Sequence, residues 1–356
     1  MSANPVVHVI GTGTIGEPLT GLLCELKGPL GFEEITFHKR TPLLTDRSKV
    51  KALIKRGAKL CVDDSAVKGF QDLGMEPSYE TVEALERAGV VIDCTPSGVG
   101  TQNKTDYYER FATNTKGFIA QGSEFGFGMP YARGINDAAL TKGDKFLQVV
   151  SCNTHNLASL IDTLAFQEGG PDNLIEGRFV CMRRANDISQ DGSFVPSPVV
   201  GRHDDSRFGT HHARDAWHLF HTLGHDLNLF SSAIKLNTQY MHTIFFDIRV
   251  KNPTTVERLI ELVTQNDKIA VTHKKTANQV FSFGRDHGHY GRILNVTVLA
   301  LPTLMVRNGT EIVGYCFTPQ DGNSLLSSVA GATWFLYPDD YEARVQCLQS
   351  FFTDEV

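Results

Sequence analysis

Val6-Val7-His8-Val9-Ile10-Gly11-Thr12-Gly13-Thr14-Ile15-Gly16 is the stretch that decides how the first half of the chain is read. Residues 6–10 are a nearly unbroken apolar run, as expected of a strand buried on both faces of a parallel sheet. The glycines after it permit a tight turn and let backbone approach a pyrophosphate at the start of a helix. Gly11, Gly13 and Gly16 are therefore the candidate cofactor-binding glycines of a dinucleotide fold.

Outward from that turn, short apolar runs at 35–38, 59–62, 90–94, 117–121 and 147–150 alternate with helix-like segments at 16–27, 45–56, 79–88, 107–112 and 135–141. That alternation predicts βαβ units and a parallel sheet. After Cys152 the texture changes. A helix at 157–167 is followed by longer β-like runs at 178–184, 227–235, 241–250 and 293–299, and by a hairpin joining 303–306 to 311–317. The hairpin turn Arg307-Asn308-Gly309-Thr310 carries the Asn-Gly pair suited to positive φ. Helices near 212–223 and 254–265 would cover one face of this second sheet, and 325–335 and 340–352 also read as helical. The expected fold is α/β: a Rossmann-type doubly wound parallel sheet over 1–151, then an α+β catalytic domain with a mostly antiparallel sheet over 152–317. Helices within 318–356 would pack back on the first domain.

With 356 residues, two domains are the natural expectation. The composition, 41% hydrophobic and 21% charged, is that of a soluble globular chain, and the net charge of -6 argues against a nucleic-acid partner. No apolar run reaches the about 18 residues that a membrane-spanning helix needs, and the first residues lack a basic, then apolar, leader. The expectation is a cytoplasmic protein with no membrane partner. The seven cysteines lie far apart without CxxC spacing, which fits reduced thiols better than a disulfide or zinc framework.

Several polar clusters carry candidate chemistry. The end of the second strand, His38-Lys39-Arg40, offers no carboxylate to a ribose, and its two cations suit a 2′-phosphate. NADP is therefore favoured over NAD, and the alternative is a solvated loop. Asp93-Cys94-Thr95-Pro96-Ser97-Gly98-Val99-Gly100 and Gln121-Gly122-Ser123-Glu124 end strands at the same expected crevice, although both also read as turn chemistry.

Cys152 follows an apolar strand and precedes a helix, in Ser151-Cys152-Asn153-Thr154-His155. A helix N-terminus would lower the thiol's pKa, and the polar residues after it make a donor-rich turn; the alternative is a buried structural cysteine. His211-His212-Ala213-Arg214 could hold an anionic substrate group. His218, His221 and His225 share helical spacing, but no carboxylate completes a metal motif and no metal is expected. Arg183-Arg184 closes a strand near substrate or cofactor, or is a surface pair. His242 heads an apolar strand as either a core histidine or a base.

Taken in order, these segments resemble the archaeal-type, or type II, glyceraldehyde-3-phosphate dehydrogenases. The resemblance rests on the glycine turn, 93–100, 121–124, Val-Ser-Cys-Asn-Thr at 150–154, Arg-Arg-Ala at 183–185, His-His at 211–212, Met-His at 241–242 and Gln320 in Thr-Pro-Gln-Asp. It implies that Cys152 is the nucleophile and His242 the base, with Ser151, Asn153 and Thr154 at the aldehyde. It implies that His211 and His212 hold the substrate phosphate, and that Thr14, Ile15, Gly122, Ser123, Arg184 and Gln320 contact the cofactor. The implied activity is phosphorylating, NAD(P)-dependent oxidation of a phosphorylated aldehyde through a thioester, with inorganic phosphate as second substrate, in a homotetramer.

Three segments depart from the family pattern. His155 and Asn156 stand where the family has threonine and glycine, Ala213-Arg214 replaces Gly-Pro, and Ser123 replaces glycine. Arg214 and His155 would add cations at the rim. A related semialdehyde or acyl-phosphate reductase, or a non-catalytic cofactor-binding regulator, are the competing readings.

Overall fold

The Val6–Ile10 strand (β1) is buried at every position, and parallel neighbours flank it on both edges. This explains why its sequence is apolar without alternation. The structure, a computed structural model, describes residues 5–122, 124–187, 192, 194–319 and 321–356. Ser123 and Gln320 therefore lie outside the described residues.

The chain divides into two compact units. The first comprises the chain up to Tyr131, with Leu140–Val149 and Ser327–Leu348. Its sheet adds β2 (Glu34–His38), β3 (Lys59–Val62), β4 (Tyr79–Glu80), β5 (Val90–Asp93), β6 (Gly117–Gln121), β7 (Met129–Tyr131) and β8 (Phe146–Val149). The strand order is β4-β3-β2-β1-β5-β6-β8-β7, and every pairing is parallel. The order reverses direction at β1, so Ile10 lies between His38 of β2 and Asp93 of β5. Crevices that take ligands form beyond the carboxyl ends of strands at such a point. The late segment joins this sheet through Ser328, whose hydroxyl accepts a 2.7 Å hydrogen bond from Gln121 Nε2.

The second unit comprises Ala132–Ala139, Val150–Leu326 and Gln349–Val356. Its strands are β9 (Leu174–Arg183), β10 (Val199–Val200), β11 (Leu229–Lys235), β12 (His242–Val250), β13 (Ile269–Thr272), β14 (Thr297–Ala300), β15 (Met305–Arg307) and β16 (Glu311–Thr318). The order is β10-β11-β9-β12-β16-β14-β13, with β15 on β16. Among the described strands only the β11–β9 and β14–β13 pairs are parallel, so the sheet is mostly antiparallel. The Asn308-Gly309 turn joins β15 to β16 with both residues at positive φ, 51° and 76°. One face of the sheet packs Phe179, Cys181, Ile244, Phe246 and Ile248 against Leu157, Leu160, Leu219, Phe220, Leu259 and Val263 from the helices.

Several local expectations change, and Tyr79–Glu80, expected to open a helix at 79–88, is instead strand β4. The helix expected at 157–167 begins earlier, at Cys152, because Ser151 caps it: the Ser151 hydroxyl accepts from the Thr154 N–H at 3.4 Å. The helix expected at 135–141 is only a short 3-10 turn at Asp137–Ala139. There, side chains take backbone donors that a helix would otherwise order, with Ala132 N–H bonding Asn136 Oδ1 at 3.0 Å and Gly134 N–H bonding Asp137 Oδ2 at 2.6 Å. The strand β13 and the helix Ala277–His287 are additional elements.

Candidate functional site

In the first unit the three glycines of the turn have three different jobs. Gly11 sits at φ 91°, a conformation that suits glycine. At Gly16 a Cβ would fall 2.0 Å from the Gly11 carbonyl oxygen, so helix Gly16–Glu25 can start this close to the turn only without a side chain. A Cβ at Gly13 would meet nothing within 4 Å, which leaves its backbone open to a ligand. Thr12 Oγ1 is buried without a hydrogen-bond partner among the described residues. An open glycine beside an orphaned hydroxyl, at the reversal point of a parallel sheet, fits a dinucleotide phosphate. Thr14 and Ile15 complete the turn, with the Leu19 N–H bonding the Ile15 carbonyl at 3.0 Å.

Two carboxylates hold the neighbouring loops. The Asp93 carboxylate accepts from Thr95 N–H at 2.9 Å, Asn103 Nδ2 at 2.8 Å and Tyr108 Oη at 2.5 Å. Glu124 accepts from the Gly98 N–H, and from Thr101 N–H at 3.0 Å and Thr101 Oγ1 at 2.8 Å, tying the 121–124 turn to the 93–100 loop. Gly122, at φ 74°, is held by its N–H on Val149 O and by Gln148 Nε2 on its own carbonyl, both at 2.8 Å.

At the end of β2 the structure supplies carboxylates from elsewhere in the sequence. Lys39 Nζ lies 2.5 Å from Asp46, which Lys49 also reaches at 3.1 Å, and His38 lies 3.4 Å from Asp63. The Lys39 ammonium beside Asp46 holds that carboxyl below its ordinary range. The Arg40 side chain is exposed.

In the second unit Cys152 is the first residue of helix Cys152–Ile161. Asn323 Nδ2 donates to its carbonyl at 3.0 Å and to Val296 O at 3.1 Å. The helix terminus does not win at the thiol: burial, then Asp321, push it up to about 12, against the pull of Arg184 and Arg183. His155, expected to add a cation, is fully buried, and burial lowers its pKa to about 4. Its Nδ1 lies 3.1 Å from the Ser151 carbonyl and donates to it, so the residue is neutral helix packing.

His242 Nδ1 accepts the Arg184 backbone N–H at 3.0 Å, so the neutral ring carries its proton on Nε2. Burial, then Arg184 and Arg183, hold its pKa well below the ordinary histidine value. The Arg184 guanidinium is buried, 2.8 Å from Asp187 and 3.7 Å from Asp321.

His211 and His212 open helix His211–His221, with ring centroids 4.0 Å apart. Both ring nitrogens of His212 have protein partners, Asn153 Nδ2 and Thr210 Oγ1, each at 3.2 Å. His211 is half-buried, and burial followed by the charges of Arg183 and Arg214 lowers its pKa. His218 and His221 pack on Trp217, while His225 lies past the end of the helix. Among the described residues no three metal-binding side chains cluster, and no helix is long and apolar enough to cross a membrane.

Thr318, Asp321 and Asn323 belong to this site without having been singled out from the sequence, and Asn156 was noted there only as a departure from a family pattern. The one signal for two of them was the tetrapeptide Thr318-Pro319-Gln320-Asp321, whose ends proved to be buried polar residues.

No family model matches the chain. Among curated proteins it is 26% identical to a glyceraldehyde-3-phosphate dehydrogenase of Metallosphaera sedula, over 72% of this chain and 73% of that enzyme. Identity is 24% to the enzyme of the same name from Sulfolobus acidocaldarius, over 86% and 84% of the two chains. It is 28% to that of Saccharolobus islandicus, over 76% and 73%.

Proposed function

We propose that the chain, which is 24–28% identical to glyceraldehyde-3-phosphate dehydrogenases of three archaea, oxidises a phosphorylated aldehyde to an acyl phosphate through a thioester on Cys152. The observation that carries the reading is the setting of Cys152: a capped helix start in the same unit as Asn153 bonded to His212, and as His242 held in one tautomer by Arg184. A merely structural cysteine needs no such array of buried, oriented donors.

The Cys152 sulfur, having lost its proton to solvent, forms a bond to the aldehyde carbon, and the carbonyl oxygen becomes the alkoxide of a hemithioacetal. His242, expected as the base, has its one acceptor nitrogen taken by the Arg184 N–H, and with its proton on Nε2 it serves instead as a donor to that developing oxyanion. Ser151 and Thr154, whose hydroxyls lie 2.9 Å apart, shape the start of the helix where the aldehyde would sit. When bound, the nicotinamide cofactor supplies the acceptor for the hydride that leaves this adduct. An oxygen of inorganic phosphate then adds to the thioester carbon, the carbon–sulfur bond breaks, and Cys152 is released. The substrate phosphate is assigned to half-buried His211 with exposed Arg183 and with Arg214. His212 contributes through its bond to Asn153, since its own nitrogens are taken.

NADP or NAD would lie on the Gly11–Gly16 turn and Gly122, with Ser123 as a further cofactor residue. NADP is preferred because Arg40 is exposed at the end of β2. We assign the protein to the cytoplasm and to a homo-oligomer, as a homotetramer in keeping with the family. Support for association comes from the sheet face opposite the helices, where Val180 is 37% and Tyr315 40% exposed and Phe245 packs beside Tyr315.

The test is to incubate enzyme, oxidised cofactor and glyceraldehyde 3-phosphate without inorganic phosphate, and to weigh the intact protein. An acyl adduct mapped to Cys152 and discharged by phosphate is expected, and its absence with every phosphorylated aldehyde tried overturns the reading. The upward push on the thiol, in a residue that is only partly buried, favours the second reading, a cofactor-binding regulator. That reading predicts tight cofactor binding without any adduct.

A further inference from the structure

Behind Cys152 runs a chain of buried polar side chains whose hydrogen bonds have a single consistent direction. Asn156 Oδ1 receives the Thr297 hydroxyl at 2.7 Å and the Cys316 thiol at 3.2 Å. Sulfur is a poor acceptor, so the oxygen of the Asn156 amide, and not its nitrogen, faces Cys316. Its Nδ2 is thereby aimed at Thr318 Oγ1, to which it donates at 2.9 Å. With that acceptor position used, the Thr318 hydroxyl proton goes to Asn153 Oδ1 at 3.1 Å.

The next link is settled by the last. Asn153 has its oxygen towards Thr318, so its Nδ2 donates to His212 Nε2, and His212 carries its proton on Nδ1, from which it donates to Thr210 Oγ1. Thr210 in turn hydrogen-bonds the Ser231 hydroxyl at 2.7 Å, and Ser231 donates back to the Thr210 carbonyl at 3.4 Å while accepting the Ala213 N–H at 3.0 Å. Each of these residues is buried, Asn156 completely and Asn153 to within 3%. No bulk water reaches the chain to restore a lost partner, so reversing one link reverses the links beyond it.

We propose that Asn156 is a positioning residue of the aldehyde site: its amide sets the proton order of Thr318, Asn153 and His212, and so presents Asn153, next to Cys152, in one amide orientation. The kinetic half of this inference rests on the function proposed above; the proton order does not. The side-chain hydrogen bonds of Asn156 go to Thr297, Cys316 and Thr318, and it acts on the aldehyde site only by way of Thr318.

The test is the isosteric variant Asn156→Asp, with Thr318→Val as an uncharged break in the same chain. Above its pKa the introduced carboxylate can only accept, so Thr318 turns its proton towards it. Asn153 then flips, and the His212 proton moves from Nδ1 to Nε2. Long-range nitrogen–proton correlation spectra of histidine-labelled full-length protein, with His212 assigned by its substitution, read this directly. The wild-type spectrum should show an Nδ1–H ring and Asn156→Asp an Nε2–H ring at alkaline pH. Acidification should restore the wild-type pattern, because a protonated carboxyl donates as the amide did. Thr318→Val should lose the single tautomer. With the reaction running, kcat should fall about tenfold to a hundredfold in both variants while the KM for cofactor stays put.

A His212 ring that keeps its proton on Nδ1 in both variants overturns the proposal. Switched tautomers with unchanged kcat overturn its catalytic half. Switched tautomers in a protein that oxidises no aldehyde even as wild type uphold the proton order and sink the proposed function instead.

Discussion

The turn at Gly11–Gly16 and the polar layer behind Cys152 are built by opposite means. At the turn, the decisive feature is missing side chains: Gly16 must be bare to pack, and Gly13 is left open. Behind Cys152, side chains from β11, β14, β16 and two helices converge, and their protons have to agree. A site made of backbone is contiguous in sequence. One made of hydrogen-bonded side chains is scattered, with its members at 153, 156, 210, 212, 231, 297 and 318.

The comparison breaks most sharply with one substitution in each region. Cys152→Ala should remove turnover by about ten-thousandfold or more while cofactor affinity is unchanged, because in the proposed reaction the sulfur makes the covalent bond but holds no part of the glycine turn. Gly16→Ala should do the reverse. Its Cβ would fall 2.0 Å from Gly11 O, and the expected cost is about 1–3 kcal/mol of stability, with cofactor binding weakened. Cofactor titration by fluorescence and thermal melting distinguish the two. A Cys152→Ala protein that no longer binds cofactor would show that the regions are not separable in this way.

Legibility in the sequence follows the same division. The run Val6–Ile10 could be read because a central parallel strand is apolar throughout, and Asn308-Gly309 because its turn needs positive φ. Strand β13 was hidden by its length, four residues between Lys268 and His273, too short for a periodic signal. Cys152 was legible as a polar-flanked cysteine, but its thiol pKa was not, since burial and Asp321 depend on packing far from it in sequence. Asn156 marked itself only as a departure from a family pattern. Nothing local says that it meets Thr297 and Thr318.

A middle-sized effect should appear in both regions alike, since each contains a fully buried neutral histidine. In the first, His8 Nδ1 lies 2.6 Å from Thr36 Oγ1, and burial followed by the charge of His38 lowers its pKa to about 3. In the second, burial lowers His155 to about 4. An unfolded histidine binds its proton near pH 6.5, so the unfolded state is the one that gains protons on acidification. The stability that these neutral rings contribute is complete above pH 6.5, and it falls as pH drops towards about 4 for His155 and about 3 for His8. Each should cost about 1.4 kcal/mol per pH unit within its window. Urea unfolding at pH 7, 6 and 5 measures the slope, and His8→Asn or His155→Asn should each remove one proton's share of it. An unaltered slope in both variants would mean that these two rings are not the groups being titrated.

The smallest effect separates two adjacent cations at the end of β2. Lys39 is matched by Asp46 at 2.5 Å, whereas Arg40 is exposed to whatever lies beyond the strand. A cation already paired has less to offer a 2′-phosphate than an exposed guanidinium, which can also bind it through two parallel hydrogen bonds. Arg40→Ala should therefore lower the ratio of NADP to NAD affinity by about tenfold, the equivalent of about 1.4 kcal/mol. Lys39→Glu should shift it in the same direction by less, partly by repelling Asp46. Equal affinity ratios in wild type and both variants would move cofactor choice away from β2. A larger shift from Lys39 than from Arg40 would show that the Asp46 pair opens when the 2′-phosphate arrives, making this corner a side-chain site like the one behind Cys152.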